Sequence, residues 1–322
     1  MTSASITPHE TECDFAALQV RLGAGHTRRR LIRQTTHIAR MFGGGRARFH
    51  VENMIWLHHL LAVVLRLTGL YRRAWLNAMR PVVRCRAVRI KGLPAAFDGF
   101  RLLHLSDLHC DADAAFVPEV IQRLAGVEYD ACMMTGDFRL QTFGSYAQAI
   151  GGMRKLKAAL ATPAYAVLGN HDYLEMTADL EAMGIRVLLN EAVPIERRGA
   201  RIWIAGVDDA HYYETADIER ASRDIPPGET AILLAHSADV YPDAAKKGFA
   251  LMLCGHTHGG QMCLPGGVMV IKNSRCRRRF CRGAWQHGEL AGYTSSGTGS
   301  SGLAVRLNCP PEIVVHRLEK DG

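Results

Sequence analysis

Five short apolar runs in this 322-residue chain stop abruptly at side chains that ligate metals. "LLHLSDLH" ends in Asp107 and His109, and "MMTGD" ends in Asp137. "AVLGNHD" gives Asn170, His171 and Asp172, "LLAH" gives His236, and "LMLCGHTH" gives His256 and His258. Glycine precedes the polar residue in three of the five, where a tight turn and a close backbone approach are needed. The donors are carboxylate and amide oxygens and imidazole nitrogens, without thiolate, a set that suits manganese, iron or zinc. Asp107, His109, Asp137, Asn170, His236, His256 and His258 are too many for one tetrahedral zinc. They fit two divalent ions sharing a carboxylate. Such a pair clamps the attacking and leaving oxygens of an in-line displacement, usually at phosphorus.

Donors so far apart in sequence need a scaffold that gathers strand ends. "RLLHLS", "DACMMTG", "AYAVLG", "RIWIAGV", "TAILLAH" and "FALMLCG" read as buried strands. "FVPEVIQRLAG", "YAQAIGGMRKLKAAL", "LEMTADLEAMG" and "ETADIERASRD" between them read as helices. This alternation argues an α/β architecture with covered sheets, whose ligands sit beyond the carboxyl ends of the strands. The tail from "GGVMVI" onward is strand-like with glycine turns, which suggests a second, more antiparallel sheet packed on the first.

In this order, "DLH", "GD", "GNHD", a lone histidine and "GHTH" resemble the calcineurin-like metallophosphoesterase superfamily, over about Leu102 to His258. The tail "GYTSSGTGSSGLAVRLNCPPEI" resembles its bacterial membrane-associated branch, some members of which cleave the pyrophosphate of UDP-2,3-diacylglucosamine. The resemblance implies an αββα sandwich of two mixed β-sheets flanked by helices, over residues 83–322. It also implies two divalent ions, manganese ahead of iron or zinc. One would take Asp107, His109, Asp137 and His258, and the other Asp137, Asn170, His236 and His256. His171 would be the general acid or a phosphate-contacting residue, oriented by Asp172. Arg139, close behind Asp137, is expected to bind a substrate phosphate bidentately.

The positive charge is concentrated at the start. Residues 1–100 hold 16 Lys+Arg against 5 Asp+Glu, more than the whole chain's net +8. Residues 1–50 are expected to be poorly ordered. Residues 52–80 read as one amphipathic helix ended by Pro81, too interrupted by His58, His59 and Arg66 to span a bilayer. Trp56, Leu60, Val64, Leu67, Tyr71 and Trp75 share one side, opposite His59, Arg66 and Arg73. That is the pattern of a helix lying in a membrane interface, with packing on the catalytic domain or a second subunit as the alternative. The segment 1–82 is therefore expected to attach the enzyme peripherally to the inner membrane, facing the cytoplasm.

The expected substrate is a phosphorylated lipid or nucleotide-lipid. A soluble nucleotide phosphodiesterase, a nuclease and a non-catalytic scaffold are the alternatives. Nucleic acid is disfavoured because the tryptophans are not interleaved with the basic "HTRRR" run. An odd nine cysteines, and a start lacking a basic and apolar leader, point to a reducing cytoplasm. His104 is expected to be a hydrogen-bonded core residue, and His26, His37 and His50 to need no role. Asp208, Asp209 and His211 are candidates for the cleft wall, and the basic 275–282 loop for an anionic headgroup.

Overall fold

The apolar runs pair into two six-stranded sheets. The computed structural model describes residues 15–42, 55–161 and 163–321. The first sheet contains β1 (Val82–Ile90), β2 (Arg101–Leu105), β3 (Ala131–Met134), β4 (Ala164–Ala166) and β5 (Ile185–Val187). The second is built from β6 (Glu191–Arg197), β7 (Ala200–Gly206), β8 (Ala231–Leu234) and β9 (Leu251–Cys254). A short hairpin, β10 (Cys263–Leu264) and β11 (Val268–Met269), precedes β12 (Gly283–His287) and β13 (Leu290–Thr294), which complete the second sheet. The last strand, β14 (Glu312–Lys320), returns to the first sheet and inserts between β1 and β2.

Strands β2 to β5 run parallel, as do β7, β8, β9 and β13, whereas β6 and β12 are antiparallel edges. Central strands covered on both faces need continuous apolar sequence, and β3, β8 and β9 have it, while β2 carries the buried His104. One core lies between the sheets, where Leu102, Met133 and Val314 meet Ile204, Leu234 and Leu253. Helices cover the outer faces. On the first sheet these are α5 (Phe116–Leu124), α6 (Ala147–Ala158) and α7 (Met176–Ala182), and on the second α8 (Ile218–Ala221) and α9 (Tyr241–Lys246). The architecture is the expected αββα sandwich of two mixed sheets.

The N-terminal part departs from expectation. Residues 15–42, read as poorly ordered, form α1 (Phe15–Leu22) and α2 (Ala24–Phe42), docked on the sandwich through buried side chains. The "GGGRAR" stretch falls outside the described residues.

The single helix expected over 52–80 is two, α3 (Ile55–Leu67) and α4 (Tyr71–Met79). Gly69 adopts φ +71°, Leu70 N donates to Leu65 O at 2.9 Å and Gly69 N to Arg66 O at 3.1 Å. This is a Schellman cap, and it uses glycine because the left-handed conformation strains other residues. The break removes the continuous His59–Arg66–Arg73 stripe. It also places Trp75 against the body, where its Nε1 donates to Asp113 at 3.0 Å. Tyr71 is likewise half-buried, so neither aromatic belongs to the exposed apolar face. Among the described residues no helix is long and apolar enough to cross a membrane.

Candidate active site

Asp107 and His109 follow β2, Asp137 follows β3, Asn170 to Asp172 follow β4, His236 follows β8, and His256 and His258 follow β9. The sandwich brings these ends to one place. Ligand atoms of Asp107, His109, Asp137 and His258 lie within 4.8 Å of one another, and so do those of Asp137, His236 and His256. Asp137 belongs to both groups, and all of these residues are buried. The packing leaves no space beside them: a Cβ on Gly169 would sit 2.1 Å from Asp137 Oδ1, and one on Gly255 2.3 Å from Asp107 Oδ2. Asp107, His109, Asp137, His256 and His258 all have positive φ, between 42° and 70°. Non-glycine residues in that region cost about 1–3 kcal/mol each and cluster at functional sites.

Backbone carbonyls orient the imidazoles. His109 Nδ1 donates to Arg139 O at 2.7 Å, His236 Nδ1 to Thr135 O at 2.7 Å, and His171 Nδ1 to Leu140 O at 2.5 Å. A proton held on Nδ1 leaves Nε2 with a lone pair, the usual arrangement behind a metal ligand. Those lone pairs face other acceptors. His236 Nε2 lies 2.9 Å from Asn170 Oδ1 and 3.2 Å from Asp137 Oδ2. His109 Nε2 lies 3.2 Å from His258 Nε2, close to the ~3.0–3.4 Å spanned by two nitrogens bound ~2.1 Å from one ion. His256 Nε2 and Asn170 Nδ2 are buried without a hydrogen-bond partner. Facing acceptors and the unpaired His256 Nε2 are what a cation reconciles, so the residues fit a pair of metal ions.

The electrostatics point the same way. Burial pushes the Asp107 carboxyl up to about 6. Burial acts on Asp137 too, but His171 and His236 beside it outweigh that and hold its pKa well below the carboxylate range. His236 is in turn raised to about 10: burial opposes this, and the Asp137 charge overcomes it. With burial the first cause, and a neighbouring histidine the second, His109 drops to about 3 and His256 far below its usual value. The pocket thus strongly favours positive charge next to Asp137 while keeping His109, His256 and His258 neutral and able to coordinate.

A calcineurin-like phosphoesterase family profile matches residues 100–260, the stretch that supplies every one of these donors. The chain belongs to the calcineurin-like phosphoesterase family. It is 30% identical over 239 residues to the uncharacterized metallophosphoesterase YkoQ of Bacillus subtilis, covering 70% of this chain and 86% of that one. It is 31% identical over 237 residues to the phosphodiesterase YaeI of Escherichia coli, covering 68% and 82%. It is 29% identical over 281 residues to a bovine transmembrane protein with a metallophosphoesterase domain, covering 79% of this chain but only 60% of the bovine one. This protein is therefore a metal-dependent hydrolase of the phosphoesterase class.

Two expected catalytic details differ in this phosphoesterase. Asp172 does not orient His171. Its carboxylate accepts the backbone N–H groups of Asp137 and Gly169 at 2.8 Å and of Phe138 at 2.9 Å, tying two ligand loops together. The Leu140 carbonyl orients His171 instead, and the His171 backbone N–H donates to Asp137 Oδ1 at 3.0 Å. Asp172 is thus a positioning residue. Arg139 is fully buried in its own loop, with Nε on Gln141 O at 2.5 Å, Nη1 on Gly144 O at 3.2 Å and the guanidinium over Tyr173. Only its Nη2 is left without a partner.

Other expectations resolve individually. His104 is a buried core residue bonded to Thr135 Oγ1 at 2.9 Å. Of the "DDAH" loop, only His211 reaches the metal-ligand cluster, its ring centroid 4.2 Å from that of His256 and its Nδ1 3.2 Å from Asp239. Asp209 caps its own loop through the N–H groups of His211, Tyr212 and Tyr213, while Asp208 turns towards α2. His58, expected on the solvated side of its helix, presses its ring toward Gly302 and lines the cavity above the ligands.

Two arginines escaped the sequence reading. Arg30 of α2 is fully buried, with Nε 3.3 Å from Asp208 and Nη2 on the Asp172 carbonyl at 2.9 Å. Arg306 is also fully buried and places Nη2 3.1 Å from His258 Nδ1. Nothing local marks either one, because their partners are distant in the chain. His26 likewise has a partner, Asp208 at 3.2 Å, where none was expected. His50 lies outside the described residues.

Proposed function

We propose that this phosphoesterase hydrolyses a phosphoester or pyrophosphate bond in a lipid-linked substrate, of the kind represented by UDP-2,3-diacylglucosamine, at the inner face of a membrane. The observation that carries this reading is a cavity of about 270 Å³. Its floor holds Asp137, His171, His256 and His258, and its walls carry Leu57, Leu61, Met262, Ile271 and Leu303. A cleft for a free nucleotide would gain nothing from so many aliphatic side chains, whereas an acyl chain beside the reacting phosphorus would.

Asp107, His109, Asp137 and His258 would hold one divalent ion, and Asp137, Asn170, His236 and His256 the other. Bound manganese, or iron or zinc, would neutralise phosphate charge and lower the pKa of water towards ~7. The chain's own residues supply the rest. Asp137 and Asn170 are fixed by the amide clamp of Asp172. His171 keeps Nε2 3.8 Å from Asp137 Oδ2 and open to the cavity. As the general acid it would pass a proton from Nε2 to the leaving oxygen. Arg139 has a single donor, Nη2, for a phosphate oxygen of the substrate.

The test compares manganese-supplemented turnover of detergent-dispersed UDP-2,3-diacylglucosamine with that of soluble aryl and nucleotide phosphodiesters. A higher kcat/KM on the lipid supports the reading, and faster turnover of the soluble esters sinks it. The second outcome would favour a phosphodiesterase acting on soluble esters; the Escherichia coli relative is named a phosphodiesterase. For Arg139, an Arg139→Lys variant that folds normally but raises KM supports a phosphate contact. Unchanged kinetics with lowered stability would restrict it to holding its loop.

A further inference from the structure

We infer that two apolar prongs, the outer face of α3 and the β10–β11 hairpin, seat this enzyme on an anionic bilayer leaflet with the cavity mouth between them. The inference extends the lipid-linked reading above, and its test is chosen to fail separately from it.

The first prong is a stripe on α3. Leu67 is 82% exposed and Trp56 62%, and Leu60, Val63 and Val64 are exposed beside them. Positions spaced three, four and seven apart share one helical face. The opposite face already has its packing, since Ala62 and Leu65 are buried and Leu65 meets Val305. Among the described residues the outer stripe therefore has no core partner.

The second prong comes from a different part of the chain. Leu264, Val268, Val270 and Ile271 are all exposed, on and just beyond the β10–β11 hairpin. Monomeric soluble proteins seldom expose clusters of large apolar side chains unless something binds there. The two prongs flank one opening: Leu57, His58 and Leu61 of α3 and Ile271 behind the hairpin line the same cavity.

Charge selects the occupant. From residue 53 to 97 the sequence has no Asp or Glu and eight Lys or Arg, among them the exposed Arg66, Arg72 and Arg73. From residue 255 to 288 it again has no carboxylate and six Lys or Arg. Two of those arginines are fixed on the hairpin backbone, Arg278 on Met269 O at 2.6 Å and Arg282 on Gly267 O at 3.2 Å. Their cationic heads thus sit beside the apolar tip, while Arg277 and Arg279 remain exposed next to them. Aliphatic side chains surrounded by cations, with no acidic residue in either stretch, match acyl chains beneath anionic headgroups. A protein partner of ordinary composition would call for some acidic counterparts.

Flotation of the full-length protein with vesicles tests this, using phosphatidylcholine alone and phosphatidylcholine mixed with phosphatidylglycerol. The wild type should float with the mixed vesicles and much less with the neutral ones. Val268→Glu/Val270→Glu and Leu60→Glu/Val64→Glu, which change no ligand or cavity residue, should each lower partitioning at least about tenfold. Both should hydrolyse a soluble aryl phosphodiester as the wild type does. Variants that float normally would overturn the inference, as would a wild type that ignores anionic vesicles. A wild-type dimer that the same substitutions dissociate would overturn it too, assigning the face to a second copy. Flotation needs no turnover. A chain that floats but leaves lipid phosphoesters intact defeats only the substrate reading, and one that cleaves them in detergent yet does not float defeats only this one.

Discussion

Helices α2 and α3 are neighbours in sequence and opposites in the fold. The first is studded with arginines and is drawn into the domain, while the second is largely aliphatic and leaves half its surface outside. The surface each helix meets explains the difference. The domain edge beneath α1 and α2 offers Glu181, Glu191, Asp208 and Glu214 to Arg21, Arg30 and Arg33, together with the carbonyls of Asp172 and Tyr213. Residues that looked suited to an external polyanion find their anions inside the protein. Helix α3 meets an apolar wall of Leu303, Val305 and Met262 that is wide enough for one face only. A helix is thus not placed by its own charge; the complement waiting for it decides.

The sharpest way to break this contrast is Arg30→Met. Removing one partner of a buried ion pair strands the other, so global stability should fall by roughly 3–5 kcal/mol in chemical denaturation. Adding Asp208→Asn should recover part of that loss, since the stranded charge disappears. A loss below about 1 kcal/mol would mean that α2 merely rests on the surface.

On α3, Leu65→Ala empties a buried site and should cost about 2–3 kcal/mol. Leu60→Glu/Val64→Glu on its exposed face should stay within about 0.5 kcal/mol per site. Equal effects on the two faces would remove the distinction.

Acid should separate the helices as well. Burial favours the neutral form of Asp208, but Arg30 and His26 outweigh it and hold this carboxyl far below its usual pKa. A depressed carboxylate contributes fully above its unfolded pKa of about 3.9, and the contribution drains away as pH falls further. Protection of the α2 amides, corrected for the intrinsic pH dependence of exchange, should therefore fall below about pH 4 and stay flat between pH 5 and 8. Helix α3 holds no carboxylate and no such buried pair, so its exchange should follow only the global stability. A small effect is also expected of Arg33→Ala: its pair with Glu214 is well exposed, and its loss should cost at most about 1 kcal/mol.

The same reasoning explains what the sequence could disclose. The ligand loops were legible because an apolar run and a donor stand side by side, with a glycine between them in three of the five, and Gly169 and Gly255 do lie where a Cβ would collide with a ligand carboxylate. The layers were legible from the alternation of buried strands and helices. The insertion of β14 between β1 and β2 was not, since that pairing joins residues more than 200 apart. The docking of α2 was hidden for a similar reason, Arg30 and Asp208 being 178 residues apart. Asp172 misled by adjacency: standing next to His171, it suggested an orienting partner, yet backbone amides of two other loops claim its carboxylate. Gly69 was the clue that went unused, a glycine inside "LTGL" where the helix stops.

Both helices matter only if the strand ends hold metal. The direct measurement is metal content and aryl phosphodiester hydrolysis of full-length protein, wild type beside Asp137→Asn, after reconstitution with manganese. Asp137 is the one carboxylate common to both clusters. The account predicts about two ions per wild-type chain, with loss of at least one ion and of nearly all turnover in the variant. A wild type that binds no transition metal, or a variant that keeps both ions and full activity, would contradict it.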